Sequence, residues 1–170
     1  MKTNILILIF FFTVSDVFCQ NLSLSQVLKA REMSIGEVEE YLTEKGWKYS
    51  DGEEPSKDDL GVLSFAYKVS TINDMAESWI YYYFSENSEI KRIAIQILNN
   101  EKYNEYLNQI KNWCGKMIDS YFKDKEITKI YKGSTMTYVI TTSTNDLPLL
   151  SKQTVYSIIA MTNEDYIQSK

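Results

Sequence analysis

Three consecutive stretches, Val62–Val69, Ser78–Ser85 and Glu89–Leu98, alternate apolar and polar side chains with a period of two. That period sends successive side chains to opposite faces of an extended chain, so each stretch reads as a strand with one face toward a core. The connections, Ser70–Ala76 and Glu86-Asn87-Ser88, are short. Short connections join antiparallel neighbours, whereas parallel strands need a crossover. Leu63, Phe65, Tyr67 and Val69 then form one inward row, and Ile93, Ile95 and Ile97 another. On the middle strand Ile80, Tyr82 and Phe84 match them best. Trp79, Tyr81 and Tyr83 are thereby turned to the other face, among Ser64, Ala66, Lys68, Arg92, Ala94 and Gln96.

Helices are expected before and after these strands. Ser23-Leu24-Ser25-Gln26 is a capping box, flanked by Leu22 and Val27 as a hydrophobic staple. Ser34-Ile35-Gly36-Glu37 repeats the device, with Met33 and Val38 as its staple. The second helix puts Ile35, Val38, Tyr41 and Leu42 on one face. It ends at Gly46, a residue suited to the left-handed cap, from which Trp47 folds back on Leu42. Residues 50–59 read as a polar loop. A longer helix is expected over Lys102–Phe122, because Tyr103, Tyr106, Leu107, Ile110, Trp113, Cys114, Met117 and Tyr121 recur at helical spacing. Strands follow at Glu126–Tyr131, Thr135–Thr142 and Thr154–Thr162, and the last residues read as frayed.

The expected class is α+β: an antiparallel sheet with helices packed on one face. The order suggests two tandem helix-plus-three-strand units, ααβββ and αβββ, as half-repeats over 20–99 and 100–170 of a single domain, 20–170.

The first nineteen residues read differently. Lys2 supplies a short basic start, and Ile5–Phe12 is an unbroken apolar run, well short of the roughly 20 residues of a membrane-spanning helix. Polar residues return at Thr13, Ser15 and Asp16, and Val17-Phe18-Cys19 offers a cleavage site before Gln20. Residues 1–19 are therefore expected to be an export signal, removed from a protein of the periplasm or extracellular space. The alternative is that Cys19 is kept and lipidated, although Phe18 stands where a lipoprotein has a small residue. No later run reaches spanning length, so no transmembrane segment is expected in the mature chain.

Removing residues 1–19 takes away one positive and one negative charge, Lys2 and Asp16, so the net charge stays at −5. A mildly acidic chain without a basic stripe argues against a nucleic-acid partner. If Cys19 leaves, Cys114 has no partner for an internal disulfide and reads as a buried, inert thiol, or else as a reactive one. The chain contains no histidine. That removes the commonest general base, the Ser-His and Cys-His nucleophile pairs and the commonest zinc ligand. No phosphate-binding glycine loop or serine elbow is written either. Asp51-Gly52-Glu53-Glu54 and Asp58-Asp59 are acidic but lack the alternation of a calcium loop. No cofactor and no metal are expected, and Glu37, Glu39, Glu40 and Glu44 read as a solvated helix face.

Chemistry therefore points to binding. Large aromatics set among small and charged residues on an open sheet face supply contact area at low entropic cost. Trp79, Tyr81 and Tyr83, with Lys68, Arg92 and Gln96, are the candidate binding residues, and another protein is the expected partner. The competing reading makes the same row core, because a register slip of one residue exchanges the two faces. A small molecule, lipid or sugar held in a cleft between sheet and helices is the second functional class.

Met33-Ser34, with Val38 four residues after the serine, opens a helix that ends in glycine and leads into strands. This entry resembles the Gly-Met-Thr-x-x-x-Val opening of the beta-lactamase-inhibitor-protein-like fold, shared by small outer-membrane-assembly lipoproteins of the SmpA/OmlA type. Glu32 stands where that pattern has its glycine. The resemblance implies a tandem of two helix-plus-sheet units and a role in binding proteins.

Overall fold

The computed structural model describes residues 21–57, 59–71, 75–86, 89–145 and 152–169; the expected export signal and its cysteine lie outside them. Helix α1 (Leu24–Glu32) begins as its cap dictates: the Ser23 hydroxyl accepts from the Gln26 N–H, and the Gln26 side chain accepts from the Ser23 N–H at 2.8 Å. Helix α2 (Ile35–Glu44) starts with the Glu37 carboxylate reaching back to the Ser34 N–H and hydroxyl, at 2.8 and 2.7 Å. Those two bonds hold the Glu37 carboxyl below its usual pKa. Leu24, Val27, Ala30, Val38 and Leu42 face inward and are buried.

Eight strands follow in one antiparallel sheet. They are β1 (Trp47–Glu53), β2 (Gly61–Val69), β3 (Ala76–Phe84) and β4 (Lys91–Ile97), then β5 (Met117–Lys123), β6 (Glu126–Lys132), β7 (Met136–Asn145) and β8 (Gln153–Thr162). Their order across the sheet is β1-β2-β3-β4-β8-β7-β6-β5. Helix α3 (Asn100–Cys114) carries the chain from the centre to the far edge, and the second meander returns to lay β8 against β4. Ile93, Ile95 and Ile97 stand opposite Ala160, Ile158 and Tyr156 in that seam. One core cluster runs through both halves, from Leu22, Trp47, Phe65 and Ile80 to Tyr106, Ile110, Tyr138 and Ile140.

The α+β class and the sheet register are as the sequence implies, and four expectations are corrected. Each unit has four strands, not three, because residues 47–53 and 117–123 are strands. The acidic run at Asp51–Glu53 therefore lies in β1 instead of a loop. The long helix stops at Cys114, eight residues short of Phe122, since Gly115 turns the chain with φ +73°. The chain end is not frayed: helix α4 (Asn163–Gln168) is capped by the Thr162 hydroxyl, which accepts from the Asp165 N–H. It also breaks the one-face rule, since its Tyr166 packs on Ile130 and Met161, on the face opposite α1, α2 and α3.

The halves match in detail. Glycine at positive φ, Gly46 and Gly115, ends the helix before each first strand. Both first strands are sheet edges and both carry a bulge, at Tyr49/Asp51 and at Met117/Asp119. A bulged edge resists pairing with other chains. Gly115 has open space around a hypothetical Cβ, so any cost of a side chain there is backbone strain alone. Gly115→Ala is expected to lower unfolding free energy by about 1–3 kcal/mol. Gly36→Ala, in open space within α2, should raise it by about 0.5–1 kcal/mol. Urea denaturation followed by circular dichroism measures both; equal effects would contradict this account of Gly115.

Candidate functional site

The aromatic row stands where the alternation puts it. Phe65, Ile80, Tyr82, Ile93 and Ile95 are fully buried on the helix side, whereas Trp79, Tyr81 and Tyr83 on the opposite side are only partly buried. Trp79 lies between Ala66 and Gln96, Tyr81 between Ser64 and Ala94, and Tyr83 between Val62 and Arg92. The smallest of these neighbours, Ala66 and Ala94, are themselves buried. Trp79 and Tyr81 stack with centroids 6.4 Å apart and planes 18° from parallel. The Tyr81 hydroxyl donates to Gln96 Oε1 at 3.3 Å, which ties the ring's polar tip to the next strand.

Burial of their rings raises the phenol pKa of both Tyr81 and Tyr83; Tyr83 adds to the rise at Tyr81, and Arg92 opposes it at Tyr83. Both therefore remain neutral hydroxyls near pH 7. The row offers flat apolar surface edged by hydrogen-bonding groups. It carries no acid–base pair.

The six candidates do not form one continuous set. Lys68 sits at the end of β2 with φ +48°, its ammonium 3.5 Å from Glu77 and 5.4 Å above the Tyr67 ring. Arg92 is engaged by Asp165, both charged nitrogens lying 2.7 Å from the carboxylate oxygens in a two-pronged pair. This is the site's main unforeseen feature: Arg92 is the clasp that holds α4 down. Asp165 is buried by the contact. Asn163 fastens the same helix by accepting from the Thr137 hydroxyl at 2.8 Å and donating to the Ser134 carbonyl at 3.0 Å. Thr162-Asn163-Glu164-Asp165, a cap residue followed by acids, was the available signal. The clasped helix shields Ile130, Met161, Val139 and Ile159, so the aromatic row occupies the half of this face that α4 does not cover.

Among the described residues no helix is long and apolar enough to cross a membrane. No protein-family model, curated protein or solved structure matches the chain.

Removing Arg92 strands the Asp165 carboxylate in a buried position. Arg92→Met is expected to lower stability by about 3 kcal/mol, and adding Asp165→Asn should recover most of that loss. Urea unfolding of the single and double variants measures it; equal destabilisation in both would show that the charge pair is not what holds α4.

Proposed function

We propose that the protein is an exported, non-catalytic interaction module of the bacterial envelope or extracellular space, and that it binds another protein through the open sheet face. Trp79, Tyr81 and Tyr83 are the anchors. Gln96 orients Tyr81, Lys68 supplies charge at one end, and Arg92 sets the border by holding α4 in place.

One observation carries this reading: three large aromatics stand partly buried in mid-sheet, over neighbours as small as Ala66 and Ala94. Core packing would bury such rings fully, as it does Tyr82 on the same strand. Rigid aromatics lose little conformational freedom on contact and dominate binding energy at protein interfaces. The neutral tyrosine hydroxyls add directional hydrogen bonds without the cost of stripping water from a charge. The absence of histidine supports a non-catalytic role, the apolar Ile5–Phe12 run supports export, and the resemblance of the Met33–Val38 entry supports protein binding.

Trp79→Ala with Tyr81→Ala should leave the far-ultraviolet circular dichroism spectrum unchanged. The same variant should lose the partner that the wild-type chain retains from a detergent-solubilised envelope fraction, with Phe122→Ala as a retained control on the far edge strand. A collapsed fold in the double variant, or undiminished retention, would refute the assignment.

A further inference from the structure

On the other side of the sheet, α1, the end of α3 and the β6–β7 turn enclose a cleft of about 440 Å³. Small-molecule sites commonly span roughly 300–1,000 Å³. Leu28 from α1, Trp113 and Cys114 from α3 and Met136 and Tyr138 from β7 supply its apolar surface, and Ser25, Ser134 and Thr135 add polar groups. Lys29 and Glu32 stand together at the rim, so the entrance carries both signs of charge.

Tyr138 is the informative residue. Its side chain is only 3% exposed, and its ring leans on Trp113 with centroids 6.3 Å apart. Of the tyrosines buried on this side, Tyr82 donates to the Met33 carbonyl and Tyr106 to the Leu22 carbonyl, each at 2.7 Å, whereas Tyr138 is the one that lines the cleft. The Tyr138 hydroxyl has no hydrogen-bond partner among the described residues. Burial, with the Cys114 thiol nearby and Arg31 opposing, pushes its pKa up to about 12, and burial raises the Cys114 thiol as well. Both groups are therefore protonated at neutral pH. A neutral donor that no protein group engages, on a residue lining the cleft, is free to bond an acceptor carried by a ligand.

We propose that this cleft is a small-molecule site for a flat, largely apolar ligand bearing one neutral oxygen acceptor, the class to which aromatic carbonyl compounds belong. The ligand's ring lies against Trp113, Leu28 and Met136, its oxygen accepts from the Tyr138 hydroxyl, and Cys114 borders it. The mixed charge at the rim gives no preference for an anion or a cation. The site is on the opposite sheet face from Trp79 and stands or falls independently of the protein-binding surface.

Prodan, an aromatic ketone whose emission moves to shorter wavelength in apolar surroundings, is the probe, titrated into the full chain. Saturable one-site binding is expected. Tyr138→Phe keeps the ring and removes only the unpaired hydroxyl, so it should fold normally and bind about five- to tenfold more weakly. Trp79→Ala should bind as wild type does. Bound prodan should also slow alkylation of Cys114 by iodoacetamide, followed on the peptide that carries it. No saturable binding, unchanged affinity in Tyr138→Phe, loss in Trp79→Ala, or an unprotected Cys114 would each overturn the assignment.

Discussion

The pairing of β4 with β8 is the contact on which the rest of the molecule depends. Each half is a four-stranded meander that could hide only part of its apolar face beneath its own helices. Laying Ile93, Ile95 and Ile97 beside Ala160, Ile158 and Tyr156 joins the two meanders into one eight-stranded sheet. The seam also lets α1 and α3 pack over the junction, and it fills the centre of a core that neither half completes alone. Both edges of the combined sheet are first strands with bulges, so the joined sheet is bounded by edges poorly suited to growth.

A continuous sheet with helices concentrated on one side creates two unlike surfaces. On the helix side a cleft opens where α3 ends at Gly115, beside Trp113 and Tyr138. On the opposite side α4 covers one half and leaves the aromatic row of β3 on the other. The near symmetry of the halves is thus broken twice. Two helices precede the first meander and one precedes the second, while α4 follows only the second. Both candidate surfaces lie where that symmetry fails.

Much of this was legible in the residues. The capping boxes at Ser23 and Ser34 and the rows on β2, β3 and β4 follow from local rules, and the structure places them accordingly. The two edge strands were not legible, for a physical reason. An edge strand has little to bury, so β1 runs Trp47-Lys48-Tyr49-Ser50-Asp51-Gly52-Glu53 with only Trp47 buried, and it resembles a loop. In β5, Met117 and Tyr121 happened to continue the helical spacing of α3, and only Gly115 marked the break. Arg92 could be placed on the aromatic face from its register, but its engagement by Asp165 depends on a contact across 73 positions that no local pattern encodes. The cleft was equally hidden, because it is assembled from α1, α3 and β7, which lie far apart in the chain.

Native-state hydrogen exchange tests the central claim most directly, since it reads the stability of each strand separately. If the seam unites the molecule, the amides of Ile93–Ile97 and of Tyr156–Ala160 should be the slowest to exchange and should open together at the free energy of global unfolding. The edge strands β1 and β5 should exchange through smaller, local openings. Seam amides exchanging as fast as those of β5, or two halves opening at separate free energies, would contradict the account.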